Sequence, residues 1–108
     1  MDLLESKEKG TCVFALRGKL DASTSPLLKT KLVTAIDRGE TNILLDCAGL
    51  DYVSSAGLRV LFETAYKIQN LAGTLACCQV GANVKKIFEM VDISTEITMF
   101  SSLEEALK

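Results

Sequence analysis

The sequence predicts one α/β domain over residues 1–108, with a mixed sheet of four or five strands and about four helices. Two observations carry that prediction. Short apolar runs alternate with longer segments whose apolar residues return every three or four positions, the order of parallel strands joined by helical crossovers. No linker, repeat or low-complexity tract interrupts that order. With 48% hydrophobic and 24% charged side chains, a chain of 108 residues is sufficient for one core. A domain of this size buries roughly two-thirds of its unfolded surface.

The elements follow from local pattern. A strand near Leu3 is expected to pair across the KEKG turn with a strand at Thr11–Leu16. SPLLKTKLVTAIDRGE reads as a helix, with Ser23, Thr24 and Ser25 as candidate caps, Pro26 in the first turn and Gly39 as the stop. Its inward face would be Leu28, Leu32, Ala35 and Ile36, with Lys29, Lys31 and Asp37 pointing away. NILLDC, residues 42–47, is a nearly continuous apolar run and hence an interior strand. A second helical stripe, Leu58, Leu61, Phe62, Ala65 and Ile68, runs to a stop at Gly73. TLACCQV is the next strand, then a helix with Val84, Ile87, Phe88 and Val91 inward, and EITMF can form a last strand. A final helix begins in SSLEEALK, where Ser101–Glu104 or Ser102–Glu105 offers a capping box.

Composition narrows the chemistry. A formal charge of −2 gives no global basic field for nucleic acid or for an acidic membrane. No apolar stretch is long enough to span a bilayer, and the first ten residues lack the basic-then-apolar order of a signal peptide, so a cytoplasmic protein is expected. Cys12, Cys47, Cys77 and Cys78 show no C-x-x-C spacing and no histidine exists to complete a zinc set. They read as small core residues, reduced and without metal. The missing histidine also removes the usual base for a serine nucleophile, and SSAG is neither a G-x-S-x-G elbow nor the start of S-x-x-K. No catalytic residue is assigned, and an enzyme is not expected.

SSAG, residues 54–57, nevertheless stands between a strand and a helix start, the edge where open α/β sheets place functional groups. Unpaired N–H groups and the positive end of the helix dipole favour an anion there, and a phosphate on a serine would find partners in place. The alternative is that Ser54 or Ser55 only caps the helix. The residues alone leave both readings open.

Two segments are similar to a known family. GKLDASTSPLLKTKL, Gly18 to Leu32, resembles the G-x-L-D-x-x-T segment of the anti-sigma-factor antagonists, single-domain members of the STAS family. NILLDCAGLDYVSSAGLRVL, Asn42 to Leu61, resembles that family's apolar strand, the Asp that ends it and the D-S-S-G or S-S-A-G loop before a helix. The order of helix, strand and helix downstream extends the resemblance over nearly the whole chain. It implies a partner switch. The unphosphorylated antagonist binds an anti-sigma factor that is also an ATP-dependent serine kinase, and a sigma factor is released. Phosphorylation of the loop serine dissolves the complex, and a metal-dependent serine phosphatase restores the binding form.

By position the acceptor would be Ser55, with Ser54 in the place of the family's Asp and Ala56 in that of the second Ser. Because Ser54 supplies a hydroxyl where relatives carry a charge, it is the alternative acceptor. The resemblance implies partner contacts at Asp21, Ser23 and Thr24 and at Ser54, Ser55, Ala56 and Gly57. Arg59 is a further candidate for partner or phosphate pairing, and its alternative is a solvated helix charge. No cofactor is implied, since ATP would belong to the kinase. The rival reading is a STAS scaffold or regulatory module in a stress-sensing or transport assembly.

Overall fold

The structure, a computed structural model, describes residues 1–108. Strand β1 (Asp2–Glu8) turns back on β2 (Thr11–Leu20) through Lys9 and Gly10, whose φ angles of 53° and 79° suit a tight two-residue hairpin. The chain continues through α1 (Ser25–Asp37), β3 (Asn42–Val53), α2 (Ser55–Asn70), β4 (Thr74–Cys78) and α3 (Ala82–Met90). A 3₁₀ turn (Ile93–Thr95), β5 (Thr98–Phe100) and α4 (Leu103–Ala106) complete it. The five strands lie in sequence order, with β1 antiparallel to β2 and all later pairs parallel. The mixed five-stranded sheet with four α-helices matches the expected fold class. No helix is long and apolar enough to cross a membrane.

The sheet carries two unequal cores. Cys12, Phe14 and Leu16 of β2 and Ile43, Leu45 and Cys47 of β3 join Leu28, Leu32, Ala35 and Ile36 of α1 in the larger one. Helices α2 and α3 add Leu61, Ala65, Ile68, Val84 and Phe88 to it. The alternate strand residues, Val13, Leu44 and Cys78, face the opposite way, under Leu103, Ala106 and Leu107 at the C-terminus. The α1 stripe is buried as expected, and Lys29, Lys31 and Asp37 are exposed. Gly39, at φ 99°, follows the last turn of α1.

Strand ends and two helix faces differ from the sequence reading, and β4 and β5 are shorter than TLACCQV and EITMF. Strand β3 does not stop at the NILLDC run or at Asp46 but reaches Val53, and β2 reaches Leu20. Ten residues of β2 run beside twelve of β3, with register breaks between Ala15 and Arg17 and between Gly18 and Lys19. Two bulges on β3 absorb the difference, so its buried residues there, Cys47, Leu50 and Val53, recur every third position. In α2 the buried face is Gly57, Val60, Leu61, Thr64, Ala65 and Ile68; Leu58 and Phe62 are only half-buried at its margin. In α3 Ile87 is half-buried, and Val91 lies exposed past the helix end, where Asp92 at φ 55° redirects the chain. The final helix is capped by Ser102, whose hydroxyl accepts from Glu105 N at 3.0 Å, while Ser101 donates to the Glu105 carboxylate.

Candidate functional site

Strand β4 stops opposite Asp46, so the rest of β3 pairs with β2 alone and the two project as a ribbon beyond the sheet. That ribbon delivers two loops to one place. Beyond β2 lies Asp21–Thr24, and beyond β3 lies Ser54 with the start of α2. The joint between them is Leu20. Its carbonyl accepts a hydrogen bond from Ser54 N at 2.8 Å, and its fully buried side chain lies against Gly57. A Cβ on Gly57 would stand 2.8 Å from Leu20 Cγ and 2.9 Å from Leu20 O, closer than real contacts allow. Glycine is therefore required there by close approach.

Asp21 organises its loop from within. One carboxylate oxygen accepts from Ser23 N at 3.0 Å, Ser23 Oγ at 2.7 Å and Thr24 N at 3.2 Å. These bonds, Ser23's hydroxyl first and its N–H second, hold the carboxyl below the usual carboxylate value. Thr24 stands at the N-cap of α1 but makes no side-chain cap; its hydroxyl accepts from Asp21 N and donates to Lys19 O, both at 2.8 Å. Ser25 Oγ donates to Asp21 O, and Pro26 stands in the first turn of the helix. Ser23 is the exposed member of this loop, while Asp21 and Thr24 are half-exposed.

The two adjacent serines stand in different surroundings. Ser54 is the N-cap of α2: its backbone is extended, its hydroxyl accepts from Gly57 N at 3.3 Å, and its carbonyl accepts from Leu58 N. Ser55, the first helical residue, is exposed, and its hydroxyl makes no hydrogen bond within the chain. Ala56 beside it is small and half-buried, and Gly57 is buried. The first turn of this 16-residue helix carries no acidic residue of its own to offset the positive end of its dipole. Arg59 is exposed and takes part in no ion pair.

Thus the geometry brings the Asp21 and Ser55 loops side by side, with Ser23, Ser55 and Arg59 outward. Of the other expected contact residues, Gly57 is buried against Leu20, and half-exposed Thr24 spends its hydroxyl on the backbone of Lys19 and Asp21. Leu20 was not singled out from the sequence, because a buried leucine at a strand end looks like any other core residue. Tyr52 is likewise exposed (46%) on the ribbon just before Ser54; the period-three spacing of Leu50 and Val53 is the signal that turns it outward.

The four thiols lie far into the fold, all buried and unpaired. Burial, reinforced by the Glu5 charge, pushes Cys12 up to about 11, and burial with the Asp46 charge pushes Cys78 up to about 12. The Cys77 hydrogen bond and then burial raise Cys47 well above the normal thiol value. No three His, Cys, Asp or Glu side chains converge as a metal site.

The model of the STAS domain family matches residues 5–106. A relative in Bordetella bronchiseptica, provisionally named anti-sigma factor antagonist BtrV, is 31% identical over 106 residues, covering 98% of this chain and 91% of the relative. A crystal structure of a provisionally identified anti-sigma factor antagonist of Thermotoga maritima superimposes with a TM-score of 0.92 at 14% identity, over 97% of this chain and 91% of that one. The Bacillus cell fate determinant SpoIIAA in its phosphorylated form gives a TM-score of 0.77 at 21% identity, over 98% and 96%. At these identities the two structures speak to the fold alone.

Proposed function

This chain belongs to the STAS domain family, and from that membership we infer an anti-sigma factor antagonist whose partner binding is switched by phosphate on Ser55. One observation carries the assignment of the serine. Ser54 spends its hydroxyl on the helix cap, whereas the Ser55 hydroxyl is exposed and unpartnered at the same helix start. Ser54 would have to attack the phosphate with an oxygen already accepting the cap bond and half-covered; Ser55 can be presented as it stands. The name of the Bordetella relative supports the antagonist role, and the phosphorylated SpoIIAA supports a phosphate on this fold.

The proposed switch acts on the surface rather than the fold. The Asp21 loop, Ser55 and Arg59 form the face for an anti-sigma factor with serine kinase activity. Phosphorylation adds about −1.5 to −2 charges and a bulky group at its centre. The helix start tolerates that charge, so the domain stays folded while the complementary face is lost. A metal-dependent serine phosphatase would return the binding form. The protein itself has the part of ligand and substrate, not of enzyme, in the cytoplasm.

The test pairs the chain with its cognate kinase-type anti-sigma factor, identified by pull-down, with ATP and mass spectrometry of the product. Ser55→Ala should keep binding and accept no phosphate, Ser55→Asp should bind more weakly with unchanged circular dichroism, and Ser54→Ala should still be phosphorylated. Stoichiometric phosphate on Ser55→Ala but none on Ser54→Ala would move the acceptor to Ser54. Binding unaffected by every change at both serines would leave them as a cap alone.

A further inference from the structure

A concavity opens at the C-terminal ends of β4 and β5, lined by neither serine and unused by the proposed switch. Val80 leaves the C-terminal end of β4 and Phe100 that of β5, and α3 with the following 3₁₀ turn closes the far wall. The cavity measures about 450 Å³, and its floor is Val80, Phe88, Ile93, Met99 and Phe100. Phe88 and Ile93 are nearly fully buried members of the core, and Val80, Met99 and Phe100 are half-buried beside them. Volumes of roughly 300–1,000 Å³ with an apolar lining and a few convergent polar groups are those of small-molecule sites, and the C-terminal ends of parallel strands are where such sites gather.

The mouth defines the ligand. Lys85 and Glu89, one turn apart on α3, both line it, both are exposed, and neither belongs to any ion pair of the structure. Ser94, on the opposite lip, has a hydroxyl without a hydrogen-bond partner. A ligand with a carboxylate alone would satisfy Lys85 but face Glu89, and an amine alone would satisfy Glu89 but face Lys85. A molecule carrying both charges at one end satisfies both, and an apolar or aromatic body at the other end fits beside the Phe88 and Phe100 rings and the Met99 thioether. We propose that this cavity binds a small zwitterion with an apolar body, of the class of the apolar α-amino acids.

The experiment is an ¹H–¹⁵N NMR titration of the full chain with L-phenylalanine, beside its N-acetyl amide, which keeps the ring and lacks both charges. About twelve non-hydrogen atoms at drug-like efficiency set a Kd on the order of 1 mM. Saturable shifts are expected at Lys85–Ser94 and Met99–Ser101, with the amide binding at least tenfold more weakly. Lys85→Met, which keeps the apolar stem, should weaken L-phenylalanine about tenfold. Ser94→Trp, at an exposed lip position, should fill the mouth and abolish the shifts while the remaining spectrum stays native. No saturable shift at either segment, persistence of the shifts in Ser94→Trp, or equal binding of the amide would each overturn the proposal.

Discussion

Gly57→Ala is the sharpest probe of how the two loops are joined. The new Cβ would meet Leu20 Cγ at 2.8 Å, Leu20 O at 2.9 Å and Leu20 Cδ2 at 3.0 Å. Leu20 is fully buried, and its carbonyl is held by Ser54 N at 2.8 Å. Overpacking of this kind costs about 1–3 kcal/mol. Displacing the carbonyl also puts at risk a hydrogen bond contributing about 1 kcal/mol. Against this stands a gain of up to about 1 kcal/mol from replacing a helical glycine by alanine. The net expectation is a loss of about 2 kcal/mol, or roughly 8–12 °C in Tm for a domain of this length. Urea unfolding should show a lower midpoint at unchanged m. In a Leu20→Ala background the clash partners Cγ and Cδ2 are gone, so Gly57→Ala should cost about 1 kcal/mol less there. A glycine on an open helix surface behaves in the opposite way, and alanine there stabilises. A Gly57→Ala protein as stable as the parent, or more so, would therefore refute the close-approach argument.

Three further outcomes are expected. Ser54→Ala should lower stability by about 1 kcal/mol through loss of the cap, while Ser55→Ala stays within about 0.5 kcal/mol of the parent; urea midpoints of the two variants decide this, and equal losses would undo the division of labour between the serines. Because Asp21's carboxyl is held below its ordinary 3.8 by Ser23 and Thr24, its contribution is present above that value and drains away as pH falls further; unfolding midpoints between neutral and acid pH should decline less steeply in Asp21→Asn. The thiols of Cys12 and Cys78 are raised to about 11 and about 12, so native protein at pH 8 should react with a thiol reagent at neither; rapid native labelling of either would contradict their burial, and full labelling should appear only in denaturant. Since their folded values lie above the unfolded 9.0, the same two groups favour the fold below that pH and withdraw their support as it rises beyond.

Much of this architecture was legible from pattern alone. The α1 stripe, the strand and helix order and the position of SSAG at a strand end all follow from periodicity and from Ser, Pro and Gly at element boundaries. What escaped did so for physical reasons. Alternation is the signature of a regular strand, and the two bulges of β3 replace it with a spacing of three after Cys47, which reads as a loop. The buried face of α2 includes Thr64, whose hydroxyl donates back to Val60 O at 2.7 Å and so needs no other partner; a polar residue satisfied by its own helix does not announce itself as core. Within the site, the motif led to Ser54 and Ser55, but only three-dimensional hydrogen bonding separates the occupied hydroxyl from the free one. The role of Leu20 depends on contact with Gly57 across two crossing segments, and no local pattern encodes such a meeting.

The bulged ribbon also sets how the chain can tolerate changes in length. From Cys47 to Ser54 each residue is counted: Cys47, Leu50 and Val53 face the core, Ala48, Asp51 and Tyr52 are exposed, and Ser54 N must arrive opposite Leu20 O. Deleting one residue would either iron out a bulge and swap buried for exposed side chains, or pull the serine pair one step down the strand, away from the Asp21 loop. At the opposite rim, the Lys9–Gly10 turn and the residues around Gly39 join elements without holding either loop, and an added residue there could loop out into solvent. Engineered length variants should accordingly divide by rim: insertions at the hairpin tip accepted with the surface intact, and single deletions in 47–53 disabling it even where the chain still folds.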